Sequence, residues 1–149
     1  MNRDFVEMLA ALSAAGVEFL VVGAYAMAAH GIPRATGDID LWVRPTRLNA
    51  ERVVHALQSF GAPLFGLTLE DLVRSDTVFQ IGVAPNRIDI LTGITGVRFE
   101  EAWPNRLDVT IDDQSVPVIG LTDLIRNKAA TGRPKDQADL IWLRERMRP

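Results

Sequence analysis

A chain of 149 residues with 48% hydrophobic and 23% charged content can bury a core of ordinary size, so a single domain over residues 1–149 is expected. A net charge of −3 and a pI near 5.3 disfavour a sequence-independent nucleic-acid binder, which needs a basic excess. The absence of cysteine excludes disulfides, thiol nucleophiles and cysteine-ligated zinc. Apolar runs are too short and interrupted to span a bilayer, and "MNRDFVEML" lacks a secretory signal core. A cytoplasmic protein with no membrane partner is expected.

Phe5, Met8, Leu9 and Leu12 recur at helical spacing, with Asn2 or Asp4 as a cap and Gly16 as a stop. "VEFLVVG" reads as a buried strand ending at Gly23, and "AYAMAAHG" as a helix closed by Gly31 and Pro33. "DIDLWV" alternates as a strand. Pro45 and Thr46 then open a helix that buries Ala50, Val53, Val54, Leu57 and Phe60. A loop with a short helix at "TLEDLVR" leads to "TVFQIGV" and "RIDILTG", two strands of a hairpin joined across "APN". "LDVTIDDQSVPVIG" reads as a second hairpin, turning over residues 112–115. Thr122 is placed as the cap of a helix that leaves at Gly132. "RPKDQADLIWLRERM" forms the last helix, with Leu140, Leu143 and Met147 on its inner face. This order predicts an α/β fold with a mixed sheet, flanking helices and a C-terminal helical pair.

Asp38 and Asp40 raise a chemical question. Side chains at i and i+2 of a strand share a face, about 6.5–7 Å apart along the chain. Like charges so placed raise each other's pKa unless a cation lies between them. A divalent metal such as Mg²⁺ or Mn²⁺ is the natural cation, because hard ions take carboxylate and phosphate oxygens. The competing reading is an Asx turn after Gly37. A third acid on a neighbouring strand would favour the metal, and Asp89 in "RIDIL" is the candidate: if Ile88 and Ile90 face the core, Asp89 faces away. Upstream, "VVGAYAM" runs a strand through Gly23 directly into a helix, whose first N–H groups attract phosphate.

These residues together, "VVGAYAMAAHG…TGDIDLWV" with "RIDIL" downstream, resemble the DNA polymerase β-type nucleotidyltransferase superfamily. Similarity is strongest to its small prokaryotic branch of AbiEii-like and minimal nucleotidyltransferases. The resemblance implies a palm-like mixed sheet and a phosphate turn at Gly23 and Ala24. It further implies two metal ions on Asp38 and Asp40, with Asp89 completing the triad and orienting the acceptor hydroxyl. "LTDLIRNKAATGRPKDQADL" resembles the tail of the toxin-like members, in which a lysine and an aspartate matching Lys128 and Asp136 line the nucleotide site. The implied activity is transfer of a nucleoside monophosphate from an NTP to a hydroxyl. An external acceptor is expected, RNA or protein in preference, with a homo-oligomer or an antitoxin as further partners. The departure is Ala24, where many members carry Ser or Gly; it removes a hydroxyl but keeps the backbone N–H.

Without the resemblance, Lys128 reads as a solvated helix residue and Asp136 as a first-turn acid favoured by the helix dipole. Arg34, Thr36, Arg133 and Lys135 are candidates to meet phosphate. His30 and His55 have no metal-ligand spacing, and Trp42, Trp103 and Trp142 read as core. The reading from a different class is a catalytically silent fold that binds nucleotide or a protein partner.

Overall fold

The computed structural model describes residues 1–34 and 37–148. Among them, thirteen regular elements follow one another as α1 (Arg3–Ala14), β1 (Phe19–Val22), α2 (Gly23–Ala29), β2 (Ile39–Val43), α3 (Arg47–Phe60), α4 (Leu69–Val73), β3 (Val78–Ile81), β4 (Ile88–Leu91), α5 (Phe99–Ala102), β5 (Leu107–Ile111), β6 (Gln114–Val118), α6 (Leu121–Thr131) and α7 (Pro134–Arg146). A single 3₁₀ turn over Trp103–Asn105 joins α5 to β5. The strands form one mixed sheet in the order β3-β4-β2-β1-β6-β5. Parallel pairs join β2 to β4 and β1 to β6, and the other neighbours are antiparallel. The expected α/β architecture, mixed sheet and C-terminal helical pair are all present.

The core follows from the patterning. Phe5, Met8, Leu9 and Leu12 of α1 are buried, and α1 packs along α3. The central strands β1 and β2 are almost wholly buried, as strands covered on both faces must be. Asn49 is a buried polar exception, and it is satisfied. Its Nδ2 donates to the carbonyls of Glu18 (3.0 Å) and Arg44 (2.9 Å), and its Oδ1 accepts from the Glu18 N–H (2.8 Å). One amide thereby ties the start of α3 to the entry of β1 and the exit of β2.

Both expected hairpins form. The second turns on two residues, Asp112 and Asp113, with φ of 46° and 63°, the positive-φ pair that suits the twist of a two-residue hairpin. Thr122 is not a cap: α6 begins one residue earlier, with Gly120 at the N-cap position. α5 escapes the sequence reading because four residues carry too little periodicity. It is held by its aromatic side chain, with Phe99 edge-on to Trp42 at 5.1 Å and stacked on Trp103 at 5.6 Å. Trp42 is buried core as expected. Trp142 is not, being 62% exposed, and Met147 is also exposed. Among the described residues, no helix is long and apolar enough to cross a membrane.

Candidate functional site

The site forms where β1 ends and β2 and β4 begin. Asp40 stands opposite Asp89 in the parallel β2–β4 pair and opposite Val22 in the antiparallel β1–β2 pair. The register therefore brings the β1–α2 turn and two carboxylates to one place. Asp38 lies just before β2, and with Asp40 and Asp89 it lines a cavity of about 300 Å³. Gly37 is needed there, since a Cβ at that position would collide with the Pro85 backbone of the β3–β4 connection. Gly23 adopts φ of +67°, and a Cβ on it would run into Asp40 Oδ2. The strand-to-helix turn thus depends on glycine for both its conformation and its closeness to the carboxylate.

Sequence reasoning missed the cation within the acids. Arg87 Nε donates to Asp89 Oδ1 at 2.7 Å, and Nη2 to Asp89 Oδ2 at 3.1 Å. Its Nη2 lies 3.4 Å from Asp38 Oδ2, and its backbone N–H donates to Asp38 Oδ1 at 3.1 Å. Asp40 gains less from it. Burial pushes the Asp40 carboxyl up to about 6, with help from the Asp89 charge, a hydrogen bond to Asp89 and the Asp38 charge. A carboxyl held neutral by burial and by neighbouring carboxylates is what a site built for a cation shows when the positive charge falls short. Among the described residues, no set of three or more His, Cys, Asp or Glu stands ready-made around a metal position. The donor chemistry nevertheless fits a hard divalent ion: three carboxylates, one of them reluctant to ionise, beside a guanidinium that already serves as counter-charge. Arg87 occupies oxygens of Asp38 and Asp89 that an ion bound by all three acids would share.

The same cavity is also lined by cations. Arg34, Lys128, Arg133 and Lys135 line it together with Gly23, Ala24 and Met27. Lys128 is no solvated helix residue; it is 8% exposed. Its Nζ lies 3.3 Å from Asp136 Oδ1 and 3.2 Å from Asp139 Oδ2. Burial pulls its pKa down, opposed by Asp136. Asp136 is fully buried and does not line the cavity. It accepts from Lys128, from Thr131 Oγ1 at 2.7 Å and from Arg133 Nε at 2.7 Å. Burial would raise its pKa, but these donors outweigh it and hold the carboxyl well below the usual range. Asp136 therefore holds Lys128 and Arg133, which line the cavity, from behind. Asp139, also unread in the sequence, lines the cavity and pairs with Arg34. Its Oδ2 is buried without a hydrogen bond, the Lys128 ammonium being near but off the bonding direction. Helical spacing held the signal, because Asp139 lies one turn after Asp136. Thr36 lies outside the described residues. His30 donates from Nε2 to the Ile119 carbonyl at 2.7 Å, a structural tie, and His55 is exposed.

No protein-family model matches the sequence, and no curated protein matches it. Solved structures do. A protein from Thermotoga maritima proposed to be a nucleotidyltransferase is similar over 96% of this chain and 92% of its own, with 18% identity and a TM-score of 0.62. The lincosamide antibiotic adenylyltransferase LnuA, solved with lincomycin bound, is similar over 99% and 98%, with 11% identity and a TM-score of 0.61. The antibiotic-resistance factor ANT(2'')-Ia is similar over 96% and 80%, with 16% identity and a TM-score of 0.60. What the chain shares with them is the fold. The cavity described above belongs to this chain's own residues.

Proposed function

We propose that the protein is a metal-dependent nucleotidyltransferase that moves a nucleoside monophosphate from an NTP to a hydroxyl of an external acceptor. The observation that carries this reading is the convergence, in one cavity of about 300 Å³, of the Gly23–Ala24 turn, the carboxylates of Asp38, Asp40 and Asp89, and the cations Arg34, Lys128, Arg133 and Lys135. Carboxylates that would hold divalent metal, together with cations in the same cavity, suit a polyphosphate. Likeness in fold to the lincosamide antibiotic adenylyltransferase LnuA supports the same class of chemistry.

In this reading, Asp38 and Asp40 hold the divalent ions and Asp89 completes their ligand set. Mg²⁺ or Mn²⁺ bound there supplies charge neutralisation and a more acidic acceptor hydroxyl. The N–H groups of Gly23 and Ala24, at the open start of α2, receive phosphate oxygens. Arg34, Arg133 and Lys135 bind the β- and γ-phosphates, and the pair with Asp136 holds Lys128 in the same cavity. The acceptor oxygen bonds to the α-phosphorus as the bond from that phosphorus to the bridging oxygen breaks. Pyrophosphate leaves with that bond's electrons, and Asp89 orients the hydroxyl and takes its proton. Positioning and electrostatics supply the rate, as is general for phosphoryl transfer.

RNA or protein is the favoured acceptor, since Arg133, with its side chain 58% exposed, stands at the edge of the cavity. A small-molecule hydroxyl is the second reading, favoured by LnuA, whose structure holds lincomycin. The test is incubation with each α-labelled NTP and Mg²⁺, first alone and then with lysate, following pyrophosphate release. Nucleotide binding without pyrophosphate from any NTP in lysate would establish the silent, nucleotide-binding alternative.

A further inference from the structure

A second cavity, of about 520 Å³, opens beside the first and shares Arg34, Lys135 and Asp139 with it. Its other walls include Ile32 and Pro33, from the segment after α2, and Trp142 and Arg146 of α7. Trp142 is 62% exposed, although Leu140 and Leu143 beside it on the helix are buried. Arg146 is fixed: its Nη2 donates to the Gly31 carbonyl at 2.7 Å, and its guanidinium packs close over Gly31. The cavity therefore offers an indole, an aliphatic wall and a tethered guanidinium. It communicates with the first cavity through residues common to both.

We infer that the second cavity takes the base of the donor nucleotide, with Trp142 as its stacking face. The inference rests on the nucleotidyl-transfer reading of the first cavity. A nucleoside triphosphate has a planar, uncharged ring at one end and a polyanion at the other. The two adjoining cavities have that division, aromatic and aliphatic beyond Arg34 and Lys135, charged on the near side. Each volume lies in the range of about 300–1,000 Å³ usual for small-ligand pockets. Aromatic stacking recognises any base by its π-face, and an adjacent arginine strengthens it. A polycationic acceptor would meet Arg34, Lys135 and Arg146, which repel it. Two competing occupants remain for the experiment: a neutral acceptor, or a second copy of the chain seated on Trp142 and the neighbouring exposed Ile141.

Binding of non-hydrolysable NTP analogues and of inorganic tripolyphosphate, each with Mg²⁺, separates these cases. Expected results are that the analogues quench indole fluorescence and tripolyphosphate does not. Trp142→Ala weakens analogue binding ~5- to 100-fold and leaves tripolyphosphate binding unchanged, and Trp142→Phe recovers most of the loss. Analogue binding indifferent to Trp142→Ala, with tripolyphosphate still bound, overturns the base subsite and leaves the nucleotidyl-transfer reading standing. The same indifference with loss of a dimer on sizing assigns Trp142 to a copy-to-copy contact instead. Failure of the native protein to bind either ligand overturns both.

Discussion

The Asp40 carboxyl keeps its proton up to a pH of about 6, whereas an aspartate in an unfolded chain releases it near about 3.9. A group with a raised folded-state pKa stabilises the fold below its unfolded value. That contribution is lost as pH rises through the folded one. Metal-free protein is therefore expected to lose stability between about pH 4 and 6 on account of Asp40. Asp40→Asn removes the penalty: in chelator at pH 7.5 the variant melts above the native protein, by about 2–4 °C for each kcal/mol recovered. At pH 4 the two melt together. A variant melting lower at both pH values would make Asp40 a structural residue. Arg87 is the counterpart, since it neutralises Asp38 and Asp89 in the absence of metal. Arg87→Ala should melt lower in chelator and gain more from Mg²⁺ or Mn²⁺ than the native protein does, because binding to the folded state alone raises the melting point. A smaller metal response in that variant would show that the guanidinium supports the loaded site and does not compete with it.

At the scale of elements, the site depends on two constructions, the β1–α2 turn and the α6–α7 pair. The turn is legible in the sequence because an apolar strand that breaks at a glycine and runs straight into a helix-favouring segment leaves room only for a tight connection. The meeting of the three acids is partly legible: strand period 2 singles out Asp38 and Asp40, although β2 begins only at Ile39, and the β2–β4 register that sets Asp89 opposite Asp40 is long-range. The same period reaches Arg87, two residues before Asp89, but spacing alone does not distinguish an arginine folded back onto the acids from one pointing into water. Trp142 reads as core by its size, although helical spacing excludes it from the Asp136, Leu140 and Leu143 face. Only the resemblance singles out Lys128 and Asp136, and the burial of Lys128 is not legible, because a buried lysine is defined by partners a turn and a loop away. Those partners make the α6–α7 prediction. Asp136 accepts from Lys128, Thr131 and Arg133 inside the protein, and removing one partner of a buried pair costs about 3–5 kcal/mol. Asp136→Ala should therefore lower the melting temperature by roughly 6–20 °C at pH 7. Because the Asp136 pKa is depressed, its stabilisation is present above the unfolded value of about 3.9 and fades as pH falls below it. The native protein and the variant should accordingly converge in acid. An unchanged melting point with weakened tripolyphosphate binding would instead place Asp136 in direct contact with ligand.

Across the whole molecule, charge is distributed against its average. The chain carries a net −3, yet Arg34, Arg87, Lys128, Arg133 and Lys135 all line one cavity, and Arg146 lines its neighbour. Asp38, Asp40, Asp89 and Asp139 line the same cavity, so its cations and acids nearly balance, and divalent metal on the carboxylates would leave the cations to meet an anion. A sequence-independent polyanion binder would spread such charge along a face; here it is concentrated where a triphosphate would end. The expected consequence is that salt weakens nucleotide binding strongly, while an RNA acceptor, engaged near Arg133 and Lys135 alone, adds little salt dependence of its own. Labelling lysate with each α-³²P NTP at low and moderate salt, then separating RNA, protein and small molecules, measures both. Label in RNA or protein that falls with salt in parallel with nucleotide binding is the expected result. Label confined to small molecules would replace the macromolecular acceptor with a small hydroxyl compound, and a steeper salt dependence for RNA than for nucleotide would require a longer basic track than these two residues provide.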